Sequence, residues 1–319
     1  MINFRFHLVS LVAVFLALAL GVMMGATVID RAIVNGLEAR IDRVGKRAED
    51  TRDENLTLKA RLDALEVYAE QALPLIVADR LVGVPVAMVA VRGVNEDVVR
   101  QTADALRGGG AVVTGVVWLE PSLALSDVSA EVKLGEVVGD AFSKGADLRR
   151  TAIEALGRRL AVGAEATANP AAAEDVLSGL GTAGFVAFDS MGGEFDPSLY
   201  PAPGSRVLVI DGNQAKLKPD LASLPLIRAL QVEGAMVALG EVFAEVESGP
   251  SRGTIVAGVR EDQALATRVA TVDDLEHPRG RAALALALEE LGLGQAGHYG
   301  EGPGASRQLP EPAPAGPGT

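Results

Sequence analysis

The chain contains no cysteine, only three histidines and one tryptophan, and its aromatic content is 4%. Without cysteine there is no disulfide framework, no thiolate metal centre and no thiol nucleophile. The three histidines (His7, His277 and His298) are scattered and form no recognisable metal motif, and the commonest general base is correspondingly scarce. Basic residues are also short: 29 Lys and Arg face 42 Asp and Glu, for a formal net charge of −13. That balance excludes a nucleic-acid partner, because binding phosphates by counterion release needs clustered cations. No G-x-G-x-x-G follows the first apolar strand, and G-x-x-x-x-G-K-[ST] and H-E-x-x-H do not occur. The chain therefore reads as a binding or scaffolding protein on an enzyme-like fold, not an enzyme, with no bound cofactor.

What is present begins with an uncharged run at residues 8–29, LVSLVAVFLALALGVMMGATVI. At 1.5 Å per residue it spans about 33 Å as a helix, enough for a bilayer core of about 30 Å. A cleaved signal is the rival reading, but the run exceeds the usual apolar core of a signal peptide, and a charged helix continues directly from it. Residues 1–30 are thus expected to be an uncleaved signal-anchor. Arg5 and the amino terminus orient it with the N-terminus cytoplasmic and the remainder extracytoplasmic. This makes the protein a single-pass component of the cell membrane. Gly21 and Gly25 form a G-x-x-x-G that would allow two such helices to approach closely.

Residues 31–73 carry apolar positions spaced alternately three and four apart. The seam runs Val34, Leu37, Ile41, Val44, Ala48, Thr51, Asn55, Leu58, Leu62, Leu65, Ala69, Ala72, and the flanks are densely charged. Such a register predicts a coiled-coil stalk, with a homodimer as its simplest assembly, and Asn55 at a core position would fix the register. Pro74 ends the pattern.

From about residue 79 short apolar runs alternate with amphipathic segments. Strands are predicted at 84–91, 111–118, 185–188, 206–210, 254–259 and 269–272. Helices are predicted from an Asn95 cap to Arg107, and at 128–143, 147–161, 171–180, 221–243 and 279–291, with a helical insertion within 120–180. Apolar strands separated by helices imply a doubly wound, mostly parallel α/β sheet of the flavodoxin or Rossmann kind over 79–299. The Gly/Pro-rich tail 300–319 is expected to be disordered. In this architecture ligands sit at the carboxyl ends of the strands. The residues expected there are Arg92-Gly93, Asp189-Ser190, Asp211-Gly212-Asn213 and Arg260, which could form a metal or phosphate site or serve as ordinary turn residues.

Three stretches together carry a family resemblance: HLVSLVAVFLALALGVMMG at 7–25, ATVDD at 270–274 and GHYG at 297–300. The set resembles the actinobacterial copper-transport protein B family, described from mycobacteria as channel-forming envelope proteins that limit copper accumulation. The resemblance implies an envelope copper-transport or efflux component, with copper as the transported ion. It singles out Asp273, Asp274, His298 and Tyr299 as the residues to inspect for metal. Ligand chemistry points elsewhere. Copper(I) prefers Cys and Met sulfur, and of six methionines only Met23 and Met24 are adjacent, which leaves imidazole or carboxylate for copper(II). A pore through an outer membrane needs a closed barrel of alternating strands, whereas these strands are short, apolar on both faces and separated by helices. The competing reading is a membrane-anchored dimeric coiled-coil scaffold that holds an envelope or cell-division partner.

Overall fold

The computed structural model describes residues 4–163, 175–191, 195–245 and 251–311. The chain divides into two compact units, Met1–Leu65 and Glu66–Thr319. One helix, α1 (Phe4–Val77), supplies all the described residues of the first unit and the opening turns of the second. Its stretch Phe4–Gly25 has a mean hydropathy of 2.6 and is long and apolar enough to cross a membrane. Further along, Leu37, Ile41, Val44, Leu58, Leu62 and Leu65 are all exposed, as are Ala48, Thr51 and Asn55. The Val34 side chain lies outside the described residues. At Gly21 and Gly25 nothing stands within 4 Å of an added Cβ.

The helix does not stop at Pro74 but runs on to Val77. Pro74 is exposed while Leu73 and Val77 are buried. Apolar burial on the inner side therefore holds the last turn although the proline withholds one backbone donor on the outer side.

The second unit is built on one seven-stranded sheet. Its strands are β1 (Val86–Val91), β2 (Val116–Leu119), β3 (Val186–Asp189), β4 (Arg206–Gly212), β5 (Val237–Val242), β6 (Val269–Val272) and β7 (His298–Tyr299). The order is β3-β2-β1-β4-β5-β6-β7. Every pairing is parallel except β2 with β3, which is antiparallel. Strands β1, β2, β5 and β6 are buried along their whole length, as expected of a sheet covered on both faces. One face packs the end of α1 with α2 (Glu96–Gly108) and α9 (Pro278–Gly292). The other packs α3 (Val128–Val138), α4 (Gly145–Val162), α5 (Val176–Thr182), α6 (Ser223–Val232) and α7 (Thr254–Arg260). A four-residue helix, α8 (Gln263–Ala266), leads into β6.

The doubly wound class and the helical insertion stand as expected, and Asn95 caps α2 by accepting from the Asp97 N–H. Three local expectations do not hold. Residues 254–259 form helix α7, not a strand. Their β-branched run is overridden because the Glu241 carboxylate accepts the N–H groups of Gly253, Ile255 and Val256, which commits that end to a helical start. The predicted helix 221–243 breaks into α6 and β5. Gly234, at φ +76°, ends the helical run, and the apolar run after it pairs with β4 and β6. The tail expected to be unpacked from Gly300 is instead engaged through residue 310: Tyr299 bridges Arg307, and Gly302 and Pro310 are buried. Residues 312–319 lie outside the described set.

Trp118 is 2% exposed, with the Arg92 guanidinium 4.5 Å above its ring. Trp118→Ala should cost about 3–5 kcal/mol in urea denaturation of the full chain, with the far-UV circular dichroism of the remaining fold retained below the transition.

Candidate functional site at the carboxyl ends of β4 to β6

A strand order of 3-2-1-4-5-6 places the usual ligand crevice where the order reverses, between β1 and β4. Here that crevice is filled by the chain itself. The Lys216 N–H donates to the Arg92 carbonyl at 2.8 Å. A Cβ on Gly93 would lie 2.6 Å from the Gln214 carbonyl oxygen, so the two loops touch backbone to backbone. Arg92 turns away to Glu120 (2.7 Å) and Glu96 (2.9 Å). Asp189 accepts from the Met191 N–H as a turn residue. Asn213 both accepts from the Ala244 N–H and donates to its carbonyl, stitching the loops after β4 and β5.

The polar chemistry has moved one strand over, into a row of buried acids. Asp211 on β4 is in register with Glu241 on β5, and Asp273 directly follows β6; each has 0% exposure. Asp211 accepts from the Ser223 hydroxyl (2.5 Å) and the Gly212 N–H (2.8 Å). Glu241 accepts the three N–H groups at the start of α7 at 2.9–3.1 Å. Asp273 accepts from Arg260 (2.8 Å) and from the N–H groups of Glu301 (2.8 Å) and Gly302 (3.0 Å). Arg260 completes the arrangement by donating to the Thr271 hydroxyl and to the carbonyls of Tyr299 and Pro303.

The residues singled out from sequence do not converge. Asp274 adjoins Asp273 in the chain but pairs with Arg279 at 2.8 Å, and its Oδ1 is buried without a hydrogen bond. His298 bonds through Nδ1 to the Thr271 hydroxyl at 2.9 Å, and its ring also bonds to the Ala266 carbonyl. Burial and the charge of Arg260 hold its pKa below the usual imidazole value. Arg260 therefore bonds both to Asp273 and to the hydroxyl that holds His298. The Tyr299 hydroxyl donates to Glu290. Among the described residues, no group of three or more His, Asp or Glu is arranged to hold a metal ion.

Sequence reading missed the cradle around Asp273. A Cβ on Gly300, at φ +121°, would sit 2.2 Å from the Asp273 Oδ1. The glycines of GEGPG thus admit a backbone wrapped around a carboxylate, and their spacing was the available signal. Glu241 was missed because it lies inside a run that resembled helix.

Burial pushes Asp211 up to about 6 and Glu241 up to about 7, against the hydrogen bonds that favour their ionised forms. An acid raised in the folded state stabilises fully below its unfolded pKa, and that contribution is lost as pH rises through the folded value. The chain should therefore lose stability between about pH 4 and pH 7. Glu241 contributes on the order of 3 kcal/mol of that loss. Urea midpoints compared at pH 5 and pH 8 should show the fall, and Glu241→Gln should flatten it.

The family model described as "Copper transport outer membrane protein, MctB" matches residues 1–310. Proteins named copper transporter MctB from Mycobacterium tuberculosis and Mycobacterium bovis are 29% identical over 320 residues, covering 96% of this chain and 98% of theirs. The Mycobacterium leprae protein of the same name is 27% identical over the same coverage. With its matched region running from the membrane-length helix through the Asp273 cradle, the chain belongs to the MctB family.

Proposed function

We propose that the protein is an envelope component of copper transport that limits intracellular copper. The whole-chain family match is the observation that carries this reading, since relatives bearing the copper-transporter name align from end to end. The membrane-length helix at Phe4–Gly25 supports a membrane-anchored protein, with its N-terminus cytoplasmic and the α/β unit outside. Copper is cargo in this reading, not a resident cofactor. The buried acids Asp211, Glu241 and Asp273 are already satisfied by protein donors, so they serve the fold and are not offered as copper ligands. After copper challenge, a deletion strain should hold more total copper by elemental mass spectrometry than its parent, and the intact gene should reverse the excess. Unchanged copper would sink the transport reading.

A second reading is favoured by the uncovered seam of α1. Leu58, Leu62 and Leu65 are exposed at heptad positions, as a homodimeric coiled coil requires. In that reading the protein is a membrane-anchored dimeric scaffold for an envelope or cell-division partner, without catalysis. Cysteines placed at Leu37 and Leu65 should crosslink between copies, and Leu58→Asp with Leu62→Asp should abolish crosslinking at position 65. Crosslinking that survives those charges would exclude the seam as the contact.

A further inference from the structure

Six methionines are the chain's entire supply of sulfur, and two of them, Met23 and Met24, sit together in the membrane-length stretch of α1. Their side chains are 72% and 69% exposed. Position 23 is two residues from the end of that stretch at Gly25, about 3 Å along the helix axis. A thioether is a soft, neutral ligand of the kind that copper(I) takes in preference to oxygen. One chain brings two such groups, too few to enclose an ion.

The phase of the helix decides what can face them. Helix α1 runs without a break from Phe4 to Val77, so the stalk register extends back into the apolar stretch. Ile41, an exposed seam residue, is eighteen residues from Met23. That is about five turns at 3.6 residues per turn, which puts both on one side of the helix. Counted back by heptads, the seam passes Asp30 and Thr27, beyond the apolar stretch, and then Met23, Leu20 and Leu16 within it. Leu16 and Leu20 are exposed, and Met24 flanks the seam. Gly21 and Gly25 fall on the opposite side of the helix, so pairing through the glycines and pairing through the seam exclude each other at this depth. The seam is the face continuous with the stalk positions Leu37, Ile41 and Val44. A shared anchor orients every copy the same way, so equal positions meet across a parallel pair.

We propose that two copies pair along this seam and hold one copper(I) ion between Met23, Met24 and their counterparts in the second copy. Four thioethers then surround the ion near the carboxyl-terminal end of the membrane span. The site rests on the copper reading for its ion and on the seam reading for its second copy. Neutral ligands leave the ion's single charge uncompensated, and a position near the end of the span makes that less costly than the bilayer centre would. The ion enters and leaves as copper(I), with no electron transferred. Zinc(II), which takes Cys, His and carboxylate ligands, should not compete.

The test uses the full chain in phosphatidylcholine nanodiscs under anaerobic, reducing conditions, titrated with copper(I) against a coloured copper(I) chelator. One copper(I) for every two chains, with sulfur neighbours in X-ray absorption and no displacement by zinc(II), is expected. Met23→Leu with Met24→Leu keeps the apolar surface and nearly the volume. That double change should weaken binding by about tenfold or more and leave the circular dichroism unchanged. In the otherwise cysteine-free chain, Leu20→Cys should crosslink between copies before copper is added, and Gly21→Cys should not. Unaltered binding in the double methionine variant overturns the proposal, as do one ion per single chain and crosslinking at position 21 in place of 20. Each of these can fail while a deletion strain still holds excess copper and cysteines at positions 37 and 65 still crosslink. Loss of this site is thereby distinguished from loss of the copper reading or of the seam reading.

Discussion

A carboxylate with no access to water must find all of its solvation inside the protein, and Asp273 shows how much structure that demands. One oxygen takes the Arg260 guanidinium, and the backbone N–H groups of Glu301 and Gly302 complete the shell. Breaking such a pair by removing one partner leaves a buried charge uncompensated, which is more damaging than losing the attraction itself. Arg260 is the last residue of α7, Asp273 follows β6, and the glycine loop follows β7. A single pair therefore fixes a helix, the end of the sheet and the chain's return across it. The bridge from Tyr299 to Arg307 then covers the outer side of β7 and blunts an edge that would otherwise be open to pairing.

The same economy shows at the point where this topology usually leaves room for a ligand. At the β1/β4 switch point the backbone of residues 214–216 lies against Gly93, so ligand space is replaced by loop contact. The buried acids at the ends of β4, β5 and β6 give their acceptor capacity to Ser223, to α7 and to the glycine loop. Fold and site are separable in this way because chemistry depends on which polar groups are left unsatisfied, not on strand order.

Within the second unit the opening turns of α1 are held by charge as well as apolar burial. Arg281, 2% exposed, reaches Glu70 at 2.6 Å and Gln101 at 3.1 Å, and His277 meets Glu66 at 2.7 Å. Leu73 and Val77 continue that face into the core shared by α2 and α9. Positions 66, 70, 73 and 77 thus face the domain, whereas Leu65 and Leu75 remain exposed. Beside that packing face the seam positions Ala69 and Ala72 are half-buried.

The sequence by itself determined the features that rest on local pattern. The apolar span, the long charged helix after it, the alternation of buried strands with amphipathic helices and the Asn95 cap each depend on spacing within a few turns, and each appears in the structure. Tertiary structure decided the rest. Residues 254–259 have strand-like composition, but a carboxylate from β5 claims their first N–H groups and makes them a helix. Residues 237–242 lie in a helix-like context, but two neighbouring strands supply ladder bonds that no local signal announces. Asp273, Asp274 and His298 are the residues that the family resemblance singles out for metal. Arg260, read from sequence only as a residue at a strand end, binds Asp273 and the hydroxyl that holds His298, while Asp274 turns to Arg279. Whether a polar side chain is free for chemistry depends on which partners the fold brings to it, and those partners are set by contacts between segments far apart in the chain.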